Sequence, residues 1–156
     1  MIAVWRGAFV PTPRRSVLGG IVRWFLGEPG ATQDVNDTAD TLSSSGGSQE
    51  LQDLADKLMA EYAPLAPTLP EAAFGRGRSL PVERLPITFR QMGGSFGDNP
   101  DLVLRLDSAN VPTSVVISWG HLRHAIIVYK QPPTNPPEGF FVRRVTDRIF
   151  VVAGES

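Results

Sequence analysis

Val115-Val116-Ile117-Ser118-Trp119 and, a few residues on, Ala125-Ile126-Ile127-Val128-Tyr129 are the two runs on which the fold turns. Each is five residues long and rich in β-branched and aromatic side chains, so each suits a pleated, largely buried strand. The break between them contains Gly120 and Arg123, which favours a turn over a continuous element. Downstream, Phe140-Phe141-Val142-Arg143-Arg144-Val145 and Ile149-Phe150-Val151-Val152 have the same character. The proline-rich stretch from Pro132 to Gly139 reads as a rigid loop ahead of them. Four such runs in succession predict an antiparallel meander.

Upstream the pattern changes. Asp98-Asn99-Pro100 reads as a helix cap followed by a first-turn proline, and Leu102, Val103 and Leu106 fall on one side of the short helix this predicts. Ile87-Thr88-Phe89-Arg90 alternates like a half-buried strand. Residues 64 to 86 are a Pro/Gly/Arg-rich connection. Before it, Leu51, Leu54, Ala55, Leu58, Met59 and Tyr62 recur at helical spacing, with Ser48 placed to cap the helix. Gly30 to Gly47 is polar, with Asp34, Asp37, Asp40 and a Ser/Gly run, and only Val35 and Leu42 are large and apolar. It is expected to be a mobile loop, because so little burial cannot offset about 1–2 kcal/mol of ordering entropy per residue. Val17, Leu18, Ile21, Val22, Phe25 and Leu26 form a second helical stripe over Ser16 to Leu26, with Gly19 and Gly20 inside it. Met1 to Val10 is a short apolar arm. Helices first and strands later predict an α+β fold with an antiparallel sheet in one domain over 1–156. Within it, 1–63 is the helical part and 87–156 the sheet part.

With 156 residues, 42% hydrophobic and 20% charged, the chain is expected to fold around a real core. A net charge of −1 points to neither a nucleic-acid nor a membrane partner. The absence of cysteine excludes disulfides and thiol chemistry. No phosphate loop, dinucleotide motif or metal motif is present, so no cofactor or metal is expected. His121 and His124, three apart in an expected strand, would face opposite sides and hold no ion between them. Arg14-Arg15-Ser16-Val17-Leu18-Gly19-Gly20 has the look of a twin-arginine export signal. Arg23 cuts its apolar stretch short, however, so the compartment, cytoplasmic or secreted, stays open.

The stretch from Asp101 through Val111-Pro112 to Trp119, followed by His124-Ala-Ile-Ile-Val-Tyr129, resembles part of a papain-like peptidase fold. The likeness is to bacterial peptidases that process double-glycine leaders and to related effector proteases, over residues 98 to 150. It implies a nucleophile helix packed beside a sheet, with the His that opens a strand as base and a polar residue after the next strand orienting it. Ser16 then stands where the family carries cysteine, His124 is the base and Asp147 its partner, with Asn135 as a second candidate. A peptide or protein substrate would lie in the helix–sheet cleft. Serine at a cysteine site is a poor nucleophile, and the family's oxyanion glutamine is missing between Trp5 and Arg15. The resemblance therefore implies a pseudoenzyme or a Cys-to-Ser form, inactive or weakened. Read alone, Ser16 is an ordinary helix cap, His124 a core-edge histidine, Asp147 a turn residue, and Trp5, Trp24 and Trp119 core or rim. The alternative function is a non-enzymatic interaction or assembly module.

Overall fold

The computed structural model describes residues 29–72, 77–120 and 122–154. Ser16 and the helix expected around it, the apolar arm, Trp5, Trp24 and His121 lie outside the described residues. The two defining runs are strands at the heart of one six-stranded antiparallel sheet. β1 is Arg78–Leu80, β2 Asp101–Leu106, β3 Pro112–Trp119, β4 His124–Tyr129, β5 Phe141–Arg144 and β6 Ile149–Ala153. Their order across the sheet is β1-β2-β3-β4-β6-β5, every neighbouring pair antiparallel, so the sheet is open with β1 and β5 as its edges. In β3 and β4 nearly every residue on both faces is buried, which explains why those segments read as continuous apolar runs and not as alternating ones.

Two helices pack on one face. α1 spans Pro29–Ser44 and α2 spans Gly47–Tyr62. Leu51, Ala55, Leu58 and Met59 of α2 join Leu104, Val115, Ile117, Ile126, Val128 and Val151 of the sheet in one core. The helix expected over 48–62 is thus present, but its cap residue is Gly46 in the left-handed conformation (φ 74°), not Ser48. Glycine suits this junction between the two helices, because a side chain is strained at such a φ.

The stretch from Gly30 to Gly47 is not a loop. Up to Ser44 it is α1, and the expectation of a loop is overturned. Val35, Thr38, Ala39 and Leu42, at i, i+3, i+4 and i+7, are all buried, and the three apolar ones join the helix–sheet core. The Ser/Thr hydroxyls that suggest a turn bond back to the preceding helical carbonyls: Thr41 to Asp37 O at 2.8 Å, Ser44 to Asp40 O at 2.8 Å, Ser45 to Thr41 O at 2.7 Å. Arg143 of β5 then ties the outer side of α1 to the sheet, donating to Asn36 and Asp40, both at 2.8 Å.

Two further expectations are reversed. Asp101–Leu106 is a strand: Leu102 and Leu104 enter the helix-facing core and Val103 the opposite face, so burial on both sides mimics a helical pattern. Ile87–Arg90 is a single helical turn, continued by a tight 3₁₀ segment, Gln91–Phe96. Phe89 is buried and Ile87 exposed, whereas a strand would put these two residues on the same face. The Pro-rich connection holds a 3₁₀ turn, Ala63–Thr68, and the edge strand β1.

Leu42 is fully enclosed, so Leu42→Ala is expected to cost about 2–5 kcal/mol of unfolding free energy in urea titration. A cost below about 1 kcal/mol, or rapid amide exchange through Val35–Leu42, would mean that α1 does not form.

Candidate functional site

The chemistry-bearing residue singled out in the sequence, His124, opens β4 and pairs with Trp119 on one side and Ala153 on the other. Strand alternation aims its ring at the helix-covered face, where it is fully enclosed. The Trp119 ring lies tilted against it at 5.2 Å between centroids, and Phe96 stacks at 6.3 Å. Nε2 sits 3.0 Å from the Met92 carbonyl and 3.2 Å from Thr38 Oγ1, while Thr38 Oγ1 itself donates to Met92 O at 2.9 Å. A carbonyl only accepts, so Nε2 carries the ring's proton and the Thr38 hydroxyl faces a nitrogen that is already protonated. The free lone pair is on Nδ1, which is buried without a partner. A base that takes a proton from a hydroxyl needs the reverse arrangement, with its lone pair on the hydroxyl. Thr38 and His124 are therefore a structural pair that fixes Gln91–Phe96 onto α1 and β4.

Two glycines let that segment close over the histidine. A side chain at Gly93 would run into the Trp119 indole, and one at Gly94 (φ 59°) into the Asp34 carboxylate. Asp34 Oδ2 instead receives the Ser95 amide at 3.1 Å and its hydroxyl at 2.7 Å. The Trp119 indole N–H donates to Arg90 O at 3.1 Å, so this tryptophan is core, as expected for it.

The structure does not bring Asp147 to His124. Asp147 is exposed in the β5–β6 turn, beside Thr146, whose hydroxyl accepts from the Arg148 and Ile149 amides at 3.1 and 3.0 Å. Register puts His124 opposite Ala153, whereas Tyr129 N donates to Arg148 O at 2.7 Å. The two side chains thus stand at opposite ends of β4, about 17 Å apart at ~3.3 Å per residue. At that separation Asp147 cannot orient this imidazole. Asn135, the second candidate, is an exposed loop residue.

Sequence patterning gives no sign of the open groove of about 560 Å³ between α1, the first turn of α2 and residues 88–94. Asp34, Asp37 and Glu50 bring three carboxylates to it, and Thr41, Thr88 and Gln91 add polar groups. Among the described residues no Lys or Arg lines it. In the sequence Asp34 and Asp37 read only as loop residues, and helical spacing through 34, 37, 38 and 41 is the signal that could put them on one face. No group of His and carboxylates arranged for a metal ion occurs among the described residues. None of their helices is long and apolar enough to cross a membrane. Compared with protein families, with curated proteins and with solved structures, the chain matches none.

Burial pushes the His124 imidazole below its ordinary value of 6.5, against the opposing pull of the Met92 carbonyl and the Asp34 charge. The unfolded chain therefore takes up this proton first as pH falls. The stability that His124 contributes is complete above about pH 6.5 and is lost as pH drops through that ordinary value toward the lower folded one. Unfolding midpoints followed from pH 7.5 to 5 should fall, and in His124→Gln, already lower at pH 7.5, they should fall less steeply. Equal slopes in the two proteins would show that folding leaves the proton affinity of His124 unchanged.

Proposed function

We propose that this domain is a non-catalytic interaction module that holds a cationic, lysine- or arginine-bearing peptide segment in the groove between α1 and residues 88–94. The acidic lining of that groove, without a basic residue among the described ones to neutralise it, is the observation that carries the reading. Carboxylates on two helices and exposed polar groups suit a ligand with guanidinium or ammonium groups. Met92 also lines the groove and offers apolar surface to the aliphatic stems of such side chains.

The papain-like resemblance is supported here by the order of elements alone: helices first, then an antiparallel sheet with a histidine opening a central strand. The peptidase mechanism is not carried along with it. The imidazole is enclosed, its proton sits on the nitrogen nearest a hydroxyl, and the presumed orienting carboxylate is at the far end of the strand. In this reading His124 holds the wall of the groove in place through Met92.

Isothermal titration at low salt with tetralysine, tetraarginine and tetraglutamate distinguishes the possibilities. The cationic peptides should bind and the anionic one should not, and about 0.3 M NaCl should weaken binding severalfold. Asp37→Asn with Glu50→Gln should lower the affinity about tenfold, the effect of two partly exposed charge pairs at ~0.7 kcal/mol each. Undiminished binding by that double variant would sink the groove assignment. Hydrolysis of the peptide by the unaltered chain would sink the non-catalytic half of the reading.

A further inference from the structure

Of the described elements that touch the His124 ring, Gln91–Phe96 is the most weakly anchored. α1 is held by buried Val35, Ala39 and Leu42, and β3 and β4 are enclosed along nearly their whole length. Among residues 91–96 only Gly93 is buried. What fastens the segment is polar. The Met92 carbonyl takes the Nε2–H of His124 and the Thr38 hydroxyl, and Asp34 takes the Ser95 amide and hydroxyl. Gly93 lies against the Trp119 indole, and Phe96 stacks on the imidazole with the Arg123 guanidinium 5.8 Å over its ring. Gly94 (φ 59°) and Gly97 (φ 93°) sit on either side of Ser95 and Phe96, where the backbone can change direction without a side chain to obstruct it.

A second proton on this ring would find no acceptor. Nε2 already donates to Met92 O, and Nδ1 is buried and meets no partner among the described residues. Protonation in place would therefore create a charged N–H shut away from both water and acceptors, which strongly disfavours the closed arrangement. The surrounding charges do not relieve it. β3, β6 and Gln91–Phe96 carry no ionisable side chain. α2 meets β4 at its far end, through Gln52 and Tyr129. The Arg90 guanidinium donates to Leu85 O, and Arg143 of β5 to Asn36 and Asp40. Asp34 on α1 favours the imidazolium, but burial outweighs it and the pKa still lies below 6.5.

We propose that Gln91–Phe96 is a proton-triggered flap: protonation of His124 loosens it from α1, its backbone yielding at Gly94 and Gly97, and lets water reach the imidazole while α1 and the sheet stay folded. Gln91, Met92 and Gly94 belong to the lining of the groove, so the groove keeps its full wall only while His124 is neutral. The flap needs no ligand, and the inference stands whether or not the groove binds cationic peptides. Once uncovered, the ring takes up its proton near the ordinary value of 6.5. Opening therefore becomes more frequent as pH falls through that value, by several-fold and at most roughly thirtyfold between pH 7.5 and 5.

The test follows hydrogen exchange of the full chain by NMR between pH 7.5 and 5, each rate corrected for the intrinsic pH dependence of exchange. The reporter is the Trp119 indole N–H, which is bonded to Arg90 O and capped by Gly93. At pH 5 it should be at least about tenfold less protected than the Val116 and Ile127 amides, as a local opening requires. Between pH 7.5 and 5 its protection should fall several-fold, up to roughly thirtyfold. Protection equal to that of the two strands would mean that the segment lifts only when the whole fold does, and would overturn the proposal. A local opening indifferent to pH would overturn it too. His124→Gln should flatten the pH dependence, and an unchanged dependence in that protein would count against the flap. Should that variant fail to fold, His121→Gln leaves His124 as the only imidazole, and its carbon-13 shifts should show the Nε2–H tautomer at pH 7.5 and a midpoint below 6.5. Loss of the pH dependence in His121→Gln would hand the trigger to the other histidine and overturn the proposal.

Discussion

The dual burial of β3 and β4 is the constraint from which the architecture follows. Val115, Val116, Ile117 and Trp119 of one strand, and Ala125, Ile126, Ile127 and Val128 of the other, are enclosed on one face or the other. Each large aliphatic side chain so enclosed contributes about 1.5–3 kcal/mol relative to exposure. Such a pair of strands cannot sit at an edge and cannot tolerate a bare face. It must be central, with neighbours on both sides, and it must recruit a layer above and a layer below. β2 and β6 supply the neighbours, and α1 with α2 supplies one of the layers.

That constraint also determines how much can be read from the residues alone. The strands at 112–119, 124–129, 141–144 and 149–153 are legible because their composition allows little else, and the α+β class follows from the order of elements. α2 is legible because one face is apolar and the other charged. α1 is not: its buried stripe is only Val35, Thr38, Ala39 and Leu42, two of them small or polar, and many of its remaining residues are favoured in turns. Tertiary packing and back-bonded hydroxyls outweigh those local preferences. β2 misleads for the opposite reason. A strand buried on both sides loses its two-residue alternation, and Asp98-Asn99-Pro100 ahead of it imitates a helix start.

At the candidate site the same limit appears in another form. The importance of His124 is visible in the sequence, because a histidine opening an apolar strand requires an account. Its role is not, because a role depends on which nitrogen meets which partner. Met92 and Thr38, 32 and 86 residues away along the chain, settle the tautomer. No spacing rule connects those positions. Analogy of strand order puts Asp147 near His124, whereas the register of β6 on β4 sends it to the other end of β4.

The sheet's two borders differ from its centre in a way that governs how these molecules meet one another. β1 has three residues and β5 four, and both carry arginine, Arg78 on one and Arg143 with Arg144 on the other. Arg78 and Arg143 are turned to use within the molecule, donating to Leu69 O at 3.0 Å and to α1 respectively. A neighbouring molecule trying to extend the sheet would find few backbone groups to pair with, next to like charges on both borders. Short, arginine-bearing borders of this kind are what keeps an open apolar sheet from serving as a template for further strands.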